Sequence, residues 1–198
     1  MKVYLQIQSL PRQLDSSGGL PKSACLGVLG VPGLTAYFAL VKVCAAKAGE
    51  TLVISSAAGQ TGHIVGQVNL NSLRDKFNID RTNSDDFPPL KIAKHLGLFV
   101  IGYTGDGDKS SWIKTELGFD WAFNYKTQDV KQTLKIAAPK GVDVFIDSVG
   151  GIFHAAVMEH MAMNGRVCLL GNLASYNNPK NVPMVPANDM AIALKVLK

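Results

Sequence analysis

Residues 55–62 read Ser-Ser-Ala-Ala-Gly-Gln-Thr-Gly, between the apolar run Thr51–Ile54 and the helix-like start His63–Gly66. A glycine turn that leaves a strand for a helix is a place where phosphate can be held. Gly59 and Gly62 lack a Cβ, so the backbone there can approach a pyrophosphate; a helix N-terminus adds free N–H groups and a favourable dipole. Gln60 and Thr61 sit between the two glycines. The stretch is not a strict G-x-G-x-x-G, and taken alone it equally describes an ordinary strand-to-helix connection.

A second candidate group is Tyr103-Thr-Gly-Asp-Gly-Asp-Lys109. Units that bind NAD place an acid after their second strand to take the ribose hydroxyls. Asp106 or Asp108 acting alone favours NAD, whereas Lys109 could pair with the 2′-phosphate of NADP. A third reading has Asp108 capping the next helix and Lys109 merely solvated.

Other chemistries find no pattern. His63, His95, His154 and His160 form no H-E-x-x-H and no i, i+4 pair, so no metal site is expected. No G-x-S-x-G marks a hydrolase. Cys25, Cys44 and Cys168 are widely spaced, odd in number and set among apolar residues, which reads as buried free thiols in a reducing compartment. Met158, Met161 and Met163 fall on one expected helix, where core packing explains them.

Positioning such a site takes alternating strands and helices. Leu34, Phe38 and Val41 stand at i, i+4 and i+7 in a largely apolar stretch, which predicts a well-buried helix over 34–46. Strands are expected at 50–57, 98–103, 121–125, 142–146 and 166–170. Helices are expected at 110–117, 129–137 and 152–163, the last closed by Asn164-Gly165, and another begins at Asn188. Strands apolar on both faces and separated by helices predict an α/β fold with a parallel sheet covered on both sides.

Residues 68–91, VNLNSLRDKFNIDRTNSDDFPPLK, break this rhythm. Their apolar residues follow no period, and Pro88-Pro89 forbids helix there. In a dinucleotide unit the second strand ends roughly 20 residues after the glycine turn, and here it comes too late. Without 68–91, Gln67 meets Ile92, GHIVGQIAKHLG reads as one amphipathic helix, and the expected spacing returns. Residues 68–91 are therefore expected to be an irregular insertion that splits the helix.

Five stretches in order, LGVLGVPGLTAYFAL, AAGQTGHIVGQ, ELGFDWAFNYK, GVDVFIDSVGG and GNLASYNN, resemble the prostaglandin reductases. These are zinc-independent members of the medium-chain dehydrogenase/reductase superfamily. The resemblance runs from about Leu20 to Lys198, apart from 68–91. It implies a Rossmann-type doubly wound parallel sheet that binds NADP(H), here incomplete with about five of six strands. Residues 21–198 would form that domain. Residues 1–20 would be at most a remnant of a barrel-like catalytic domain, so the chain is expected to be truncated at both ends.

The implied reaction is NADPH-dependent reduction of the carbon–carbon double bond of α,β-unsaturated ketones and aldehydes. The resemblance places the pyrophosphate on Gly59, Gln60, Thr61 and Gly62, the 2′-phosphate on Lys109, and further cofactor contacts on Tyr125 and Ser148. Ser148 stands where the family usually has Asn. Leu170, Gly171, Asn172, Leu173, Ala174, Ser175 and Tyr176 match the stretch beside the nicotinamide, and Tyr176 matches the tyrosine that steadies the enolate or helps its protonation. The implied partner is a small enone or enal, with no nucleic acid or membrane, and the candidate assembly is a homodimer. A catalytically silent nucleotide-binding fragment and a quinone reductase-like oxidoreductase are the alternative readings.

Composition agrees with a globular oxidoreductase but does not select one. The 198 residues are 47% hydrophobic and 18% charged, enough for a real core. The net charge of +5 is spread along the chain without a basic block, so it suits an anionic small ligand as well as nucleic acid. Apolar runs stop short of the roughly 18 residues that span a membrane. The first residues alternate with Gln and Ser, unlike a secretory signal, while Lys2 and Arg12 ahead of Asp15 leave a mitochondrial presequence open. The free thiols make the cytoplasm the expected compartment.

Overall fold

Leu52 and Ile54 of β1 (Thr51–Ile54) point to one side of the sheet and Val53 to the other, and all three are fully buried. β2 (Phe99–Thr104) and β4 (Val142–Asp147) share this two-sided burial. Strands of that kind belong in the middle of a covered parallel sheet. The structure is a computed structural model that describes residues 22–66 and 96–176. The expectations for 1–20, 68–91, His95 and the stretch beyond Tyr176 lie outside the described residues.

β3 (Trp121–Asn124) and β5 (Met161–Leu169) flank the central strands, and the five run parallel in the order β3-β2-β1-β4-β5. The chain steps outward from β1 through β2 and β3, then returns to lay β4 on the other side of β1. This reversal opens a crevice beyond the carboxyl ends of β1 and β4. The doubly wound α/β expectation holds for the described residues.

One face of the sheet is covered by α1 (Val31–Tyr37), its π-helical continuation Phe38–Val43, α2 (Gly62–Gly66) and α3 (Gly107–Thr115). Leu40, Leu52, Ile54, Val65, Val100, Ile113, Val144 and Ile146 form the core there. On the other face α4 (Val130–Ala137) and α5 (Gly151–Met158) pack Leu134, Phe153 and Val157 onto Val53, Ile101, Tyr103 and Phe145. Burial pushes the Tyr103 hydroxyl pKa up to about 12, and it shares a 2.8 Å hydrogen bond with Thr133 Oγ1. A short α6 (Leu173–Tyr176) follows β5. No helix among the described residues is long and apolar enough to cross a membrane.

Several boundaries differ from the sequence expectations. The helix expected over 152–163 stops at Met158, because Met161 already pairs with Val142 in the sheet. Asn164, with φ 59, and Gly165 make an irregularity inside β5 instead of closing a helix. Met161 and Met163 therefore belong to a strand, with Met161 buried and Met163 exposed. Leu34 and Phe38 are 40% and 52% exposed, so the buried side of the first helix is Ala36, Ala39, Leu40 and Cys44. Apolar residues all round that helix hid its true inner face. The cap of α3 is Asp106, whose carboxylate accepts from Lys109 N at 3.1 Å, and Asp108 lies inside the first turn.

Candidate functional site

β1 and β4 are tied together where the crevice opens. Asp147, the last residue of β4, is fully buried, and its Oδ1 accepts a 2.7 Å hydrogen bond from Ser55 Oγ just beyond β1. Ser55 Oγ in turn accepts from Ser148 N at 2.8 Å. The backbone N–H groups of Val149 and Gly150 donate to the same carboxylate at 2.9 and 3.2 Å, and His154 Nδ1 of α5 donates to Oδ2 at 2.9 Å. Burial alone would raise the Asp147 pKa, but the hydrogen bonds from His154, Ser55 and the two N–H groups outweigh it and hold the carboxyl below its ordinary value. No imidazole stands between hydroxyl and carboxylate, so this is not the arrangement that activates a serine. It is a tie between two turns.

The glycine turn is the first of them. Ala57 N donates to Tyr103 O at 2.9 Å and Gly59 N to Ser56 O at 2.8 Å, while Ser56 takes a left-handed φ of 50. A Cβ on Gly62 would collide with the Ser56 carbonyl oxygen and stand 2.9 Å from Ala57 Cα. At the end of β2, Thr104 Oγ1 donates to Asp106 O at 2.6 Å and fixes the entry to α3. The two turns face each other across a hollow of about 140 Å³ lined by Ser56, Ala58, Gly59, Thr104, Gly105 and Lys109.

A larger cavity of about 600 Å³ begins at the same Ser56 and Gly105 and extends past Tyr125, Gly150 and Phe153 to Leu173 and Ala174. That is within the usual size range of small-molecule and cofactor sites. Tyr125 meets Phe153 edge-on, with ring centroids 5.8 Å apart. The loop after β5 is stitched to the Asp147–Gly151 turn: Leu170 N to Asp147 O at 2.7 Å, Leu173 N to Ser148 O at 3.1 Å, and Ala174 N to Val149 O at 2.9 Å. Gly150, at φ 72, lies directly against the Asn172 side chain. A Cβ on Gly171 would lie 3.3 Å from the Tyr176 hydroxyl.

The structure thus brings Gly59 and Lys109 to one hollow, and Tyr125, Leu173 and Ala174 to the adjoining cavity. Gln60, Thr61, Gly62, Ser148, Leu170, Gly171, Asn172, Ser175 and Tyr176 line neither, although they occupy the turns that frame them. Asp106, one candidate for the ribose acid, is engaged as a helix cap. Sequence spacing marks neither the tie among Ser55, Asp147 and His154 nor the way Ser56 and Gly105 join the two spaces. The available signal was an apolar strand ending in a carboxylate, Val142–Asp147. Among the described residues no three His, Cys, Asp or Glu side chains come together as metal ligands.

Five parallel strands in this order, with the glycine turn at the central strand and the crevice at the reversal, define the Rossmann-type half of a medium-chain dehydrogenase/reductase fold. The chain belongs to the zinc-binding dehydrogenase family, whose family model matches residues 90–195. It is 38% identical over 174 residues to prostaglandin reductase 1 of Oryctolagus cuniculus, covering 87% of this chain and 43% of that protein. It is 36% identical over 159 residues to the NADP(+)-dependent 2-alkenal reductase of Nicotiana tabacum, covering 80% and 39%. CurA from Vibrio vulnificus, solved in complex with NADPH, superposes with a TM-score of 0.70 at 30% identity, covering 89% of this chain and 46% of that one. The chain therefore spans less than half the length of each of these proteins.

Proposed function

We propose that this chain is the NADP(H)-binding half of a reductase that acts on the carbon–carbon double bond of α,β-unsaturated ketones and aldehydes. The observation that supports this most is that Gly59 and Lys109 share one hollow, which adjoins the cavity of Tyr125, Leu173 and Ala174 through Ser56 and Gly105. The printed names of the relatives, prostaglandin and 2-alkenal reductases, favour the same chemistry.

The residues fit NADP(H). Gly59, Gln60, Thr61 and Gly62 would hold the pyrophosphate, because the turn has no side chain at the glycines to keep it away. Lys109 is exposed beside Gly59 and would pair with the 2′-phosphate. Tyr125 and Ser148 would make further cofactor contacts, and Leu170–Tyr176 would line the nicotinamide end. When bound, NADPH supplies the hydride. Tyr176, 65% exposed on α6, would offer its hydroxyl to the substrate carbonyl oxygen as negative charge grows there. The proposed substrate is a small enone or enal, and the proposed compartment is the cytoplasm.

Turnover of a 2-alkenal with NADPH tests the reading, with NADPH consumption matched to loss of the alkenal. Tyr176→Phe is expected to lower kcat by about 10²–10³, the usual loss for one donor to a developing oxyanion, with NADPH affinity nearly unchanged. A chain that binds NADPH yet reduces no alkenal would leave a nucleotide-binding domain without this activity.

A further inference from the structure

Two segments of the chain meet at Gly105. β2 and β3 run side by side, with Thr104 in register with Asn124 at their carboxyl ends. Tyr125 N extends this ladder by donating to Thr104 O at 3.0 Å. The residues that follow β3 are therefore laid against the turn that follows β2. Asn124 closes their own turn: its Oδ1 accepts from Lys126 N at 3.0 Å, and its O accepts from Gln128 N at 2.9 Å. Lys126 is held by its backbone, while the residue as a whole is exposed.

The Lys126 side chain lies over Gly105. A Cβ on Gly105 would stand 3.1 Å from Lys126 Cε and 3.2 Å from the Tyr125 hydroxyl oxygen. Both are tighter than the roughly 3.5–4.0 Å at which carbon contacts are comfortable. The missing Cβ is the room that lets both groups reach the turn. Gly105 also lines the hollow that Lys109 borders, and the larger cavity that Tyr125 borders. Lys109, Lys126 and the Tyr125 phenol thus gather around one glycine. Among the described residues neither lysine is ion-paired with a carboxylate, and Asp106 takes the backbone N–H of Lys109 instead.

We propose that Lys126 is a second cation for the 2′-phosphate, acting with Lys109 to select NADP(H) over NAD(H). The inference rests on the cofactor reading above. A phosphate monoester carries about two negative charges at neutral pH, so a single lysine leaves about half of that charge uncompensated. Lys109 comes from the first turn of α3 and Lys126 from the turn after β3, so the two ammonium groups belong to separate elements. The Tyr125 hydroxyl adds a neutral donor beside them. NADH carries a plain ribose hydroxyl at the same place and gains little from a second ammonium.

Calorimetric titration of NADPH and of NADH into the 198-residue chain, and into its Lys126→Met and Lys126→Arg variants, tests this. Methionine keeps an unbranched stem over Gly105 and removes the charge. Lys126→Met should weaken NADPH by about 10-fold, the loss of one charge-assisted contact, and leave NADH within about 2-fold. Lys126→Arg should bind NADPH about as the parent does. Unchanged NADPH affinity in Lys126→Met, beside a parent that binds NADPH, would overturn the role of Lys126 and leave the cofactor site standing. Equal losses for the two cofactors would overturn it as well, since the stem would then be shaping the turn. A parent that binds neither cofactor would overturn the cofactor reading and this inference with it.

Discussion

Ser55 Oγ stands 2.7 Å from Asp147 Oδ1, across the two strands at which the sheet reverses its order. This bond joins the two banks of the crevice. On one side it holds the glycine turn, and on the other the turn from Ser148 to Gly151, to which the loop after β5 is in turn bonded. Cavity shape at this edge therefore depends on one buried carboxylate.

Asp147→Asn replaces an acceptor-only group by an amide that must turn a donor toward donors already in place. Loss of hydrogen bonds to a buried charge should destabilise the fold by about 2–4 kcal/mol. Ser55→Ala removes only the hydroxyl and should cost about 1–2 kcal/mol. Urea unfolding of both variants checks this. Two variants as stable as the parent would show that the tie carries little of the stability.

The same carboxylate sets a pH dependence. Its folded pKa is below its unfolded value of about 3.9, so its contribution is complete above that value. As pH falls further, the unfolded chain takes up a proton that the folded chain refuses, and stability is lost until the pH passes the folded pKa. Glu50 adds a contribution of the same sign, because its bonds from Arg166 and Lys47 N outweigh burial and lower its pKa. Unfolding measured from pH 6 down to pH 2 should show the decline below about pH 4, and Asp147→Asn should flatten it. An equally steep decline in the variant would assign the acid sensitivity elsewhere.

Gly62→Ala places a methyl against the Ser56 carbonyl oxygen and Ala57 Cα, both of them backbone. Neither can move without opening the turn. The expected cost is about 1–3 kcal/mol, the range for overpacking, and thermal unfolding reads it directly. A variant that melts with the parent would mean that the turn opens freely.

The order of strands and helices was legible in the sequence because two-sided apolar strands leave little choice of architecture. The positions of the glycine turn and of Lys109 were legible for a local reason, the turn directly following β1 and Lys109 lying in the first turn of the helix that follows β2. Details that depend on where an element begins were not. Asp106 and Asp108 are both able to cap a helix, and only the hydrogen bond to Lys109 N separates them. Asn164-Gly165 suits a helix end and a strand irregularity alike, since both ask for a left-handed residue. The tie among Ser55, Asp147 and His154 joins residues distant in sequence, and no periodicity marks it.

Lys109 offers the sharpest test of cofactor preference. It lines the hollow beside Gly59, and its side chain is exposed. Lys109→Ala should weaken NADPH by about 10- to 100-fold, as loss of a charge-assisted contact does, while barely changing NADH. Equal losses for the two cofactors would show that Lys109 supports the fold and does not read the phosphate.

The proposed occupant of the crevice beyond the carboxyl ends of β1 and β4 is NADP(H). Fluorescence titration of the 198-residue chain with NADPH tests it most directly, with NADH in a parallel run. The expected result is saturable binding of NADPH, tighter than that of NADH. A folded chain that shows no saturable NADPH signal up to about 1 mM, where binding free energy falls to about −4 kcal/mol, would contradict the claim.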